Sequence, residues 1–174
     1  MKNFDSFSLL PVITLILLSV VLGTSEFIII GILPDIAVSI NASIAMIGNL
    51  VSIFAFVYAV GAFFISAGTS SFNRYYLIIF LIVIFVIGNI LFAVSSSYIF
   101  LMLSRMLIAV VSGTILAISM TFSAEVAKPS IQPKIISWIY SGFSIAGVFG
   151  VPAGTFITHI LGWRAACYLD RKSV

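Results

Sequence analysis

The sequence predicts an all-α integral membrane protein with five transmembrane helices and the start of a sixth. Three observations carry that prediction. Of the 174 residues, 62% are apolar and only 7% charged, whereas a water-soluble domain carries roughly a quarter charged residues. The mean hydropathy is +1.31. The charges also leave long gaps: none lies between Asp35 and Arg74, and a helix crossing about 30 Å of hydrocarbon needs about 20 mostly apolar residues.

The first span is expected over 11–33, ended by Pro34, which lacks the N–H that continues a helix. An apolar run behind a lone Lys2 can be a cleaved signal peptide. This run is too long, lacks a small-x-small cleavage pattern and is followed by four more spans, so it reads as a permanent helix. The second span covers 44–66, with Asn41, Ala42 and Ser43 supplying the turn and N-cap before it. The third covers 75–94, stopped by Ser95, Ser96 and Ser97, and the fourth covers 98–124. The fifth occupies 135–161, after a loop that holds Glu125, Lys128, Pro129, Pro133 and Lys134. A sixth begins at Gly162, Trp163 and Arg164 and breaks off, because only Ala165 to Leu169 precede Asp170. Short loops and the absence of any linker make residues 1–174 one domain or part of one, with neighbouring helices antiparallel in a single bundle.

Lys and Arg in short loops set orientation. With the amino terminus in the cytoplasm, the inner segments collect Lys2, Arg74, Lys128 and Lys134, and the outer loops hold only Arg164. The inverse arrangement fits less well. The net charge of +3 does not imply a nucleic-acid partner, since the basic residues are scattered singly and form no stripe that could track phosphates. One cysteine, Cys167, excludes an internal disulfide and any multi-cysteine metal site. No nucleotide loop is present, and neither a metal nor a cofactor is implied.

Two charges fall inside apolar spans, Glu26 and Arg105, and a charge at such depth is costly unless paired or wet. Each lies about 10 Å inside the outer end of its expected helix, so the two can meet. One outcome is a buried ion pair holding the first and fourth helices together, although a packed apolar pair usually serves stability as well. The other is a titratable switch, because burial and a neighbouring guanidinium act oppositely on a carboxylate; proton coupling needs such a group. Asp35, just past Pro34, reads as a solvated loop carboxylate. In the fifth span Gly147, Gly150 and Gly154 share one face, where small residues let another helix approach closely, and Pro152 marks a place to bend. Gly142, Phe143 and Ser144 with His159 suggest an intramembrane serine protease, but Ser144 and His159 share one helix about 22 Å apart, so that dyad cannot form and no catalytic residue is assigned. His159 reads as a packed or interfacial residue, the 16 phenylalanines as lipid-facing bulk, and Trp138 and Trp163 as anchors at opposite interfaces.

The stretch from Thr24 through Glu26, Gly31 and Pro34 to Ala37, followed by Gly48 through Tyr58 to Gly61, resembles the opening of the bacterial drug:proton antiporter branch of the major facilitator superfamily, of the sugar-efflux and purine-efflux permease type. Arg105 with Ser112 and Gly113 resembles that family's fourth-helix motif, whose arginine is linked to proton coupling. Gly142, Gly147, Gly150, Pro152 and Gly154, closing with Gly162, Trp163 and Arg164, resemble its fifth-helix antiporter motif. In the cytoplasmic loop Arg74 remains, while Ser70 and Ser71 stand where an aspartate and a basic residue are usual, and Tyr75 and Tyr76 replace further arginines. Gln132 and Lys134 likewise stand where arginines are usual.

The resemblance implies twelve helices in two six-helix halves, so this chain corresponds to an incomplete amino-terminal half. The polar ending from Asp170 to Val174 in mid-helix is what a frameshift or premature stop produces. The expected function is proton-coupled efflux of small organic solutes by alternating access in a bacterial inner membrane. Its partners would be lipid, protons and a substrate, and its coupling residues Glu26, Arg105 and Asp35. The alternatives are a non-transporting fragment, a half-transporter that needs a separately encoded carboxy-terminal half, and a small homodimeric exporter, against which Arg105 and the fifth helix argue.

Overall fold

The computed structural model describes residues 9–69, 72–126 and 129–161. They form five α-helices: α1 Leu9–Ser39, α2 Ile44–Gly68, α3 Arg74–Val94, α4 Tyr98–Val126 and α5 Gln132–Leu161. All five are long and apolar enough to cross a membrane. The sixth-helix start, Lys2, Ser70, Ser71, Lys128, Trp163, Arg164 and Cys167 lie outside the described residues, as do the side chains of Glu125 and His159.

Pro34 does not end the first helix. α1 runs through it to Ser39; the proline leaves one carbonyl without its intrahelical donor, and in an apolar medium every other main-chain group is still best satisfied by continuing the helix. The stop lies instead at Asn41, with φ 53°. Ala42 N–H bonds the Ala37 carbonyl at 2.9 Å and Asn41 N–H the Val38 carbonyl at 3.4 Å. These are the paired bonds of a Schellman C-cap, with asparagine in the left-handed position that glycine usually fills. Asp35 is therefore an exposed residue of the last turns of α1 and not a loop carboxylate. Ser43 caps α2 as expected, its hydroxyl accepting from Met46 N–H at 3.1 Å. Asn73 caps α3, accepting from Tyr75 N–H at 3.1 Å. α5 begins three residues earlier than its apolar pattern, with Pro133 in the first turn, where a missing N–H costs nothing.

Of the main packing pairs only α3 with α4 joins sequence neighbours. α1 packs chiefly along α5, and α2 and α3 along α4; α1 touches α2 and α4, and α4 touches α5, only lightly. Glycines create the close crossings of α1 with α5 and of α2 with α4. A Cβ on Gly23 would stand 2.8 Å from the Ala146 Cβ, one on Gly31 2.6 Å from Thr155 Oγ1, and those on Gly142 and Gly154 would strike Ser19 and Ile28. In the α2–α4 crossing a Cβ on Gly61 would meet the Val110 backbone at 2.9 Å and one on Gly113 the Tyr58 carbonyl at 2.7 Å. Hydroxyls stitch the same seams: Ser19 donates to the Ile139 carbonyl at 2.8 Å, Thr155 to the Gly31 carbonyl at 3.3 Å, and Thr114 to the Gly61 carbonyl at 3.4 Å. This is membrane packing by small residues and interhelical hydrogen bonds, since lipid supplies no hydrophobic drive between helices.

The amino-terminal halves of α1 and α3 stand apart across an apolar cleft of about 600 Å³, lined by Thr14, Leu18 and Val21 of α1, Tyr75 and Ile82 of α3, and Phe122 of α4. Many phenylalanines do face outward, Phe56, Phe63, Phe64, Phe80 and Phe100 among them. Phe54, Phe85 and Phe92 do not. They are buried in the bundle, which corrects the expectation that phenylalanine here is lipid-facing bulk.

Candidate functional site

The polar centre of the bundle forms where α4 crosses α1. Arg105 is 2% exposed, so its charge must be satisfied within the protein. Its Nη1 donates to the Ser25 carbonyl at 3.0 Å and its Nη2 to the Glu26 carbonyl at 3.4 Å. The planar guanidinium also lies 4.1 Å from the centroid of the Phe54 ring on α2 and 5.6 Å from that of Phe92 on α3. Arginine suits this place because its flat, weakly hydrated cation can stack on rings while its N–H groups fork to two acceptors.

The structure therefore brings Glu26 and Arg105 together: the two side chains lie within electrostatic reach of each other, and Arg105 donates hydrogen bonds to the backbone of the turn that carries Glu26. Glu26 itself is half-buried, and its Oε2 is shielded from solvent and accepts no hydrogen bond among the described residues. Tyr58 on α2 lies within electrostatic reach of both Glu26 and the α5 residue Tyr140. The carboxylate thus belongs to a group of polar side chains shared by three helices.

Ser25 was not singled out by the sequence pattern, yet it is the hub of this layer. It is 2% exposed, and its hydroxyl donates to Asn89 Oδ1 on α3 at 2.8 Å. A signal for Asn89 existed: it is the single polar side chain between Leu77 and Val94 of α3, and a lone amide in an apolar span needs a partner.

The fifth-helix residues take two roles. Gly142, Gly147 and Gly154 form the tight face against α1, with a Cβ on Gly147 coming within 3.2 Å of the Phe27 ring, whereas Gly150 faces Thr24 at an ordinary 3.5 Å. Pro152 is exposed and α5 continues through it to Leu161. Arg74 sits half-buried in the first turn of α3, at the inner end of the bundle by the expected orientation, and is not brought near Glu26. Asp35 likewise stays apart, near the far end of α1. Lys134 lies 5.3 Å from the ring of Trp138 one turn on, the arrangement of an interfacial anchor. Among the described residues no cluster of His, Cys, Asp or Glu is arranged to hold a metal.

Comparison with known proteins places this architecture. A solved bacterial homologue of the human lysosomal transporter Spinster, in an inward-facing and unoccupied conformation, superposes with a TM-score of 0.81 over 99% of this chain and 44% of its own, at 17% identity. The uncharacterized MFS-type transporter YbcL of Bacillus subtilis is 34% identical over 87% of this chain and 39% of its own length. The inner membrane transport protein YdhP of Escherichia coli is 34% identical over 88% and 40%, and a probable sugar efflux transporter of Helicobacter pylori is 28% identical over 94% and 42%. The chain spans about two-fifths of the length of these curated relatives. The family model described as Major Facilitator Superfamily matches residues 15–170, and this multi-pass chain, with five membrane-length helices among the described residues, belongs to the Major Facilitator Superfamily, whose members are transporters and not enzymes.

Proposed function

We propose that this chain forms the amino-terminal bundle of a proton-coupled exporter of small organic solutes, working by alternating access in a bacterial inner membrane with its amino terminus in the cytoplasm. Glu26 carries the proposal. Its Oε2 is buried and accepts no hydrogen bond among the described residues, while the neighbouring cation is engaged by main-chain carbonyls and aromatic rings. A carboxylate left in this condition inside a membrane is costly, and either a proton or a substrate donor relieves that cost. The two compete for one oxygen, and that competition couples proton entry to solute exit.

The remaining residues support the same cycle. Arg105 holds the Glu26 turn against α4, the glycine face of α5 gives α1 a surface to rock upon, Pro152 on the exposed side gives α5 a place to bend, and Arg74 sits where the inner end of the bundle meets a second bundle. Asp35, exposed near the outer end of α1, meets released solute or incoming protons. Alternating access needs a second bundle about a midplane site; the extra length of the relatives supplies it, on the same polypeptide or as a separately encoded carboxy-terminal half. Sugars, nucleobases and lipophilic drugs fit this site in principle, and the printed description of the Helicobacter relative favours testing sugars first.

The test is solute movement in sealed membrane vesicles that contain this chain together with a second bundle, under an imposed proton gradient. Glu26→Gln should abolish gradient-driven transport without reducing the amount of protein in the membrane, since the amide keeps the shape and cannot titrate. Unchanged gradient-driven transport in that variant would remove Glu26 from the mechanism.

A further inference from the structure

α1 and α3 are not a principal packing pair, and their amino-terminal halves are separated by the apolar cleft. A side-chain hydrogen bond nevertheless crosses between them, from the Ser25 hydroxyl to Asn89 Oδ1 at 2.8 Å. The Asn89 amide is fixed for this task, because its Nδ2 donates back to the Phe85 carbonyl at 3.0 Å and leaves the oxygen aimed at α1. Ser25 is therefore held twice, by α3 through its side chain and by Arg105 of α4 through its carbonyl. Successive residues on a helix are rotated by about 100°, so fixing Ser25 toward α3 and α4 turns the next residue, Glu26, away from that side. A polar pin in an apolar span is directional, and on the α3 side, where the cleft leaves α1 little packing, it complements the glycine and hydroxyl contacts that α1 makes with α5 on its other side.

We infer that Asn89 is a positioning residue for Glu26: by holding the Ser25 hydroxyl it fixes, on the side of α1 away from α5, the local rotation of this turn and thereby the direction in which the Glu26 carboxylate points. The proposal rests on Glu26 being the coupling group for its functional meaning, but the rotation itself is measurable without transport.

The experiment uses the full 174-residue chain in lipid nanodiscs and follows the rate at which a hydrophobic carbodiimide modifies Glu26, read at that residue by peptide mass mapping. Ser25→Ala deletes only a hydroxyl, and Asn89→Leu deletes the acceptor at nearly constant volume. Each should raise the Glu26 modification rate about fivefold, the change in an equilibrium that one hydrogen bond commands. The double variant should exceed neither single one. The exchanged pair Ser25→Asn with Asn89→Ser restores a donor and acceptor across the same gap and should return the rate toward the parent value, a rescue that a loss of fold would not give. An unchanged rate in folded Ser25→Ala, or a double variant that adds the two single effects, would overturn the inference. Should Glu26→Gln leave transport intact while the rate still follows Ser25 and Asn89, the functional proposal fails and the positioning stands.

Discussion

The guanidinium of Arg105 lies over the Phe54 ring, 4.1 Å from its centroid, and that aromatic side chain is itself only 2% exposed. A cation so placed meets the ring quadrupole and two α1 carbonyls. The site therefore holds a buried charge by rings and main chain as well as by its attraction to the nearby Glu26 carboxylate.

That arrangement makes lysine a poor substitute at position 105. An ammonium is a compact, strongly hydrated charge that cannot fork to the Ser25 and Glu26 carbonyls while stacking on Phe54. Arg105→Lys should lower stability by about 2 kcal/mol. Arg105→Met removes the charge together with its desolvation cost and should stay within about 1 kcal/mol of the parent. Reversible unfolding in mixed detergent micelles measures both. A lysine variant more stable than the methionine variant would show that charge alone, and not the planar fork, is what the site requires.

Phe54 and Arg105 should also be energetically coupled. In a double-mutant cycle of Phe54→Leu with Arg105→Met, the interaction energy should be about 1–2 kcal/mol, the range of a desolvated cation on a ring. Strict additivity in the same unfolding assay would reduce the pair to coincidental packing.

Charge-free runs of span length fixed the number and order of the helices because the membrane penalises any charge within them, and Ser43 was legible as a cap because its hydroxyl has one obvious local use. Pro34 misled, since a missing donor ends a helix readily in water but weakly in lipid. Glu26 and Arg105 stood out as charges, while their relation through main chain did not, because backbone carbonyls are invisible to side-chain pattern. Ser25 and the phenylalanines of the site looked like ordinary membrane residues; only the crossing of α4 with α1 makes them partners. The pairing of α1 with α5 and of α2 with α4 was equally hidden, since a glycine stripe announces a close neighbour and not which helix it is.

Asn41 holds φ 53° at the position that closes α1, a conformation glycine adopts without Cβ strain. Asn41→Gly should preserve the cap and change stability by at most about 0.5 kcal/mol, whereas Asn41→Val, β-branched in the left-handed region, should cost about 1–2 kcal/mol. Unfolding in detergent, with hydrogen exchange of the Ala42 amide as a local probe, distinguishes the two. Equal stability of the valine and glycine variants would mean that α1 ends by some means other than this cap.

The close approach of α1 and α5 gives a prediction with its own internal control. A Cβ at Gly23 would press on the Ala146 Cβ at 2.8 Å, and one at Gly31 would meet the Val151 carbonyl at 2.8 Å. Backbone and a methyl rooted on the facing helix cannot swing aside, so relief requires the helices to separate and the Thr155 to Gly31 hydrogen bond to lengthen. Gly23→Ala and Gly31→Ala should each destabilise by about 1–3 kcal/mol through overpacking. At Gly48, in α2, a Cβ would meet nothing within 4 Å, so Gly48→Ala should be neutral or stabilising by up to about 1 kcal/mol through helix propensity alone. Unfolding of the three variants side by side in one detergent mixture separates the contact from the propensity. If Gly31→Ala proved as harmless as Gly48→Ala, α1 and α5 would not be held at this distance in the membrane, and the surface proposed for α1 to rock upon would be lost with it.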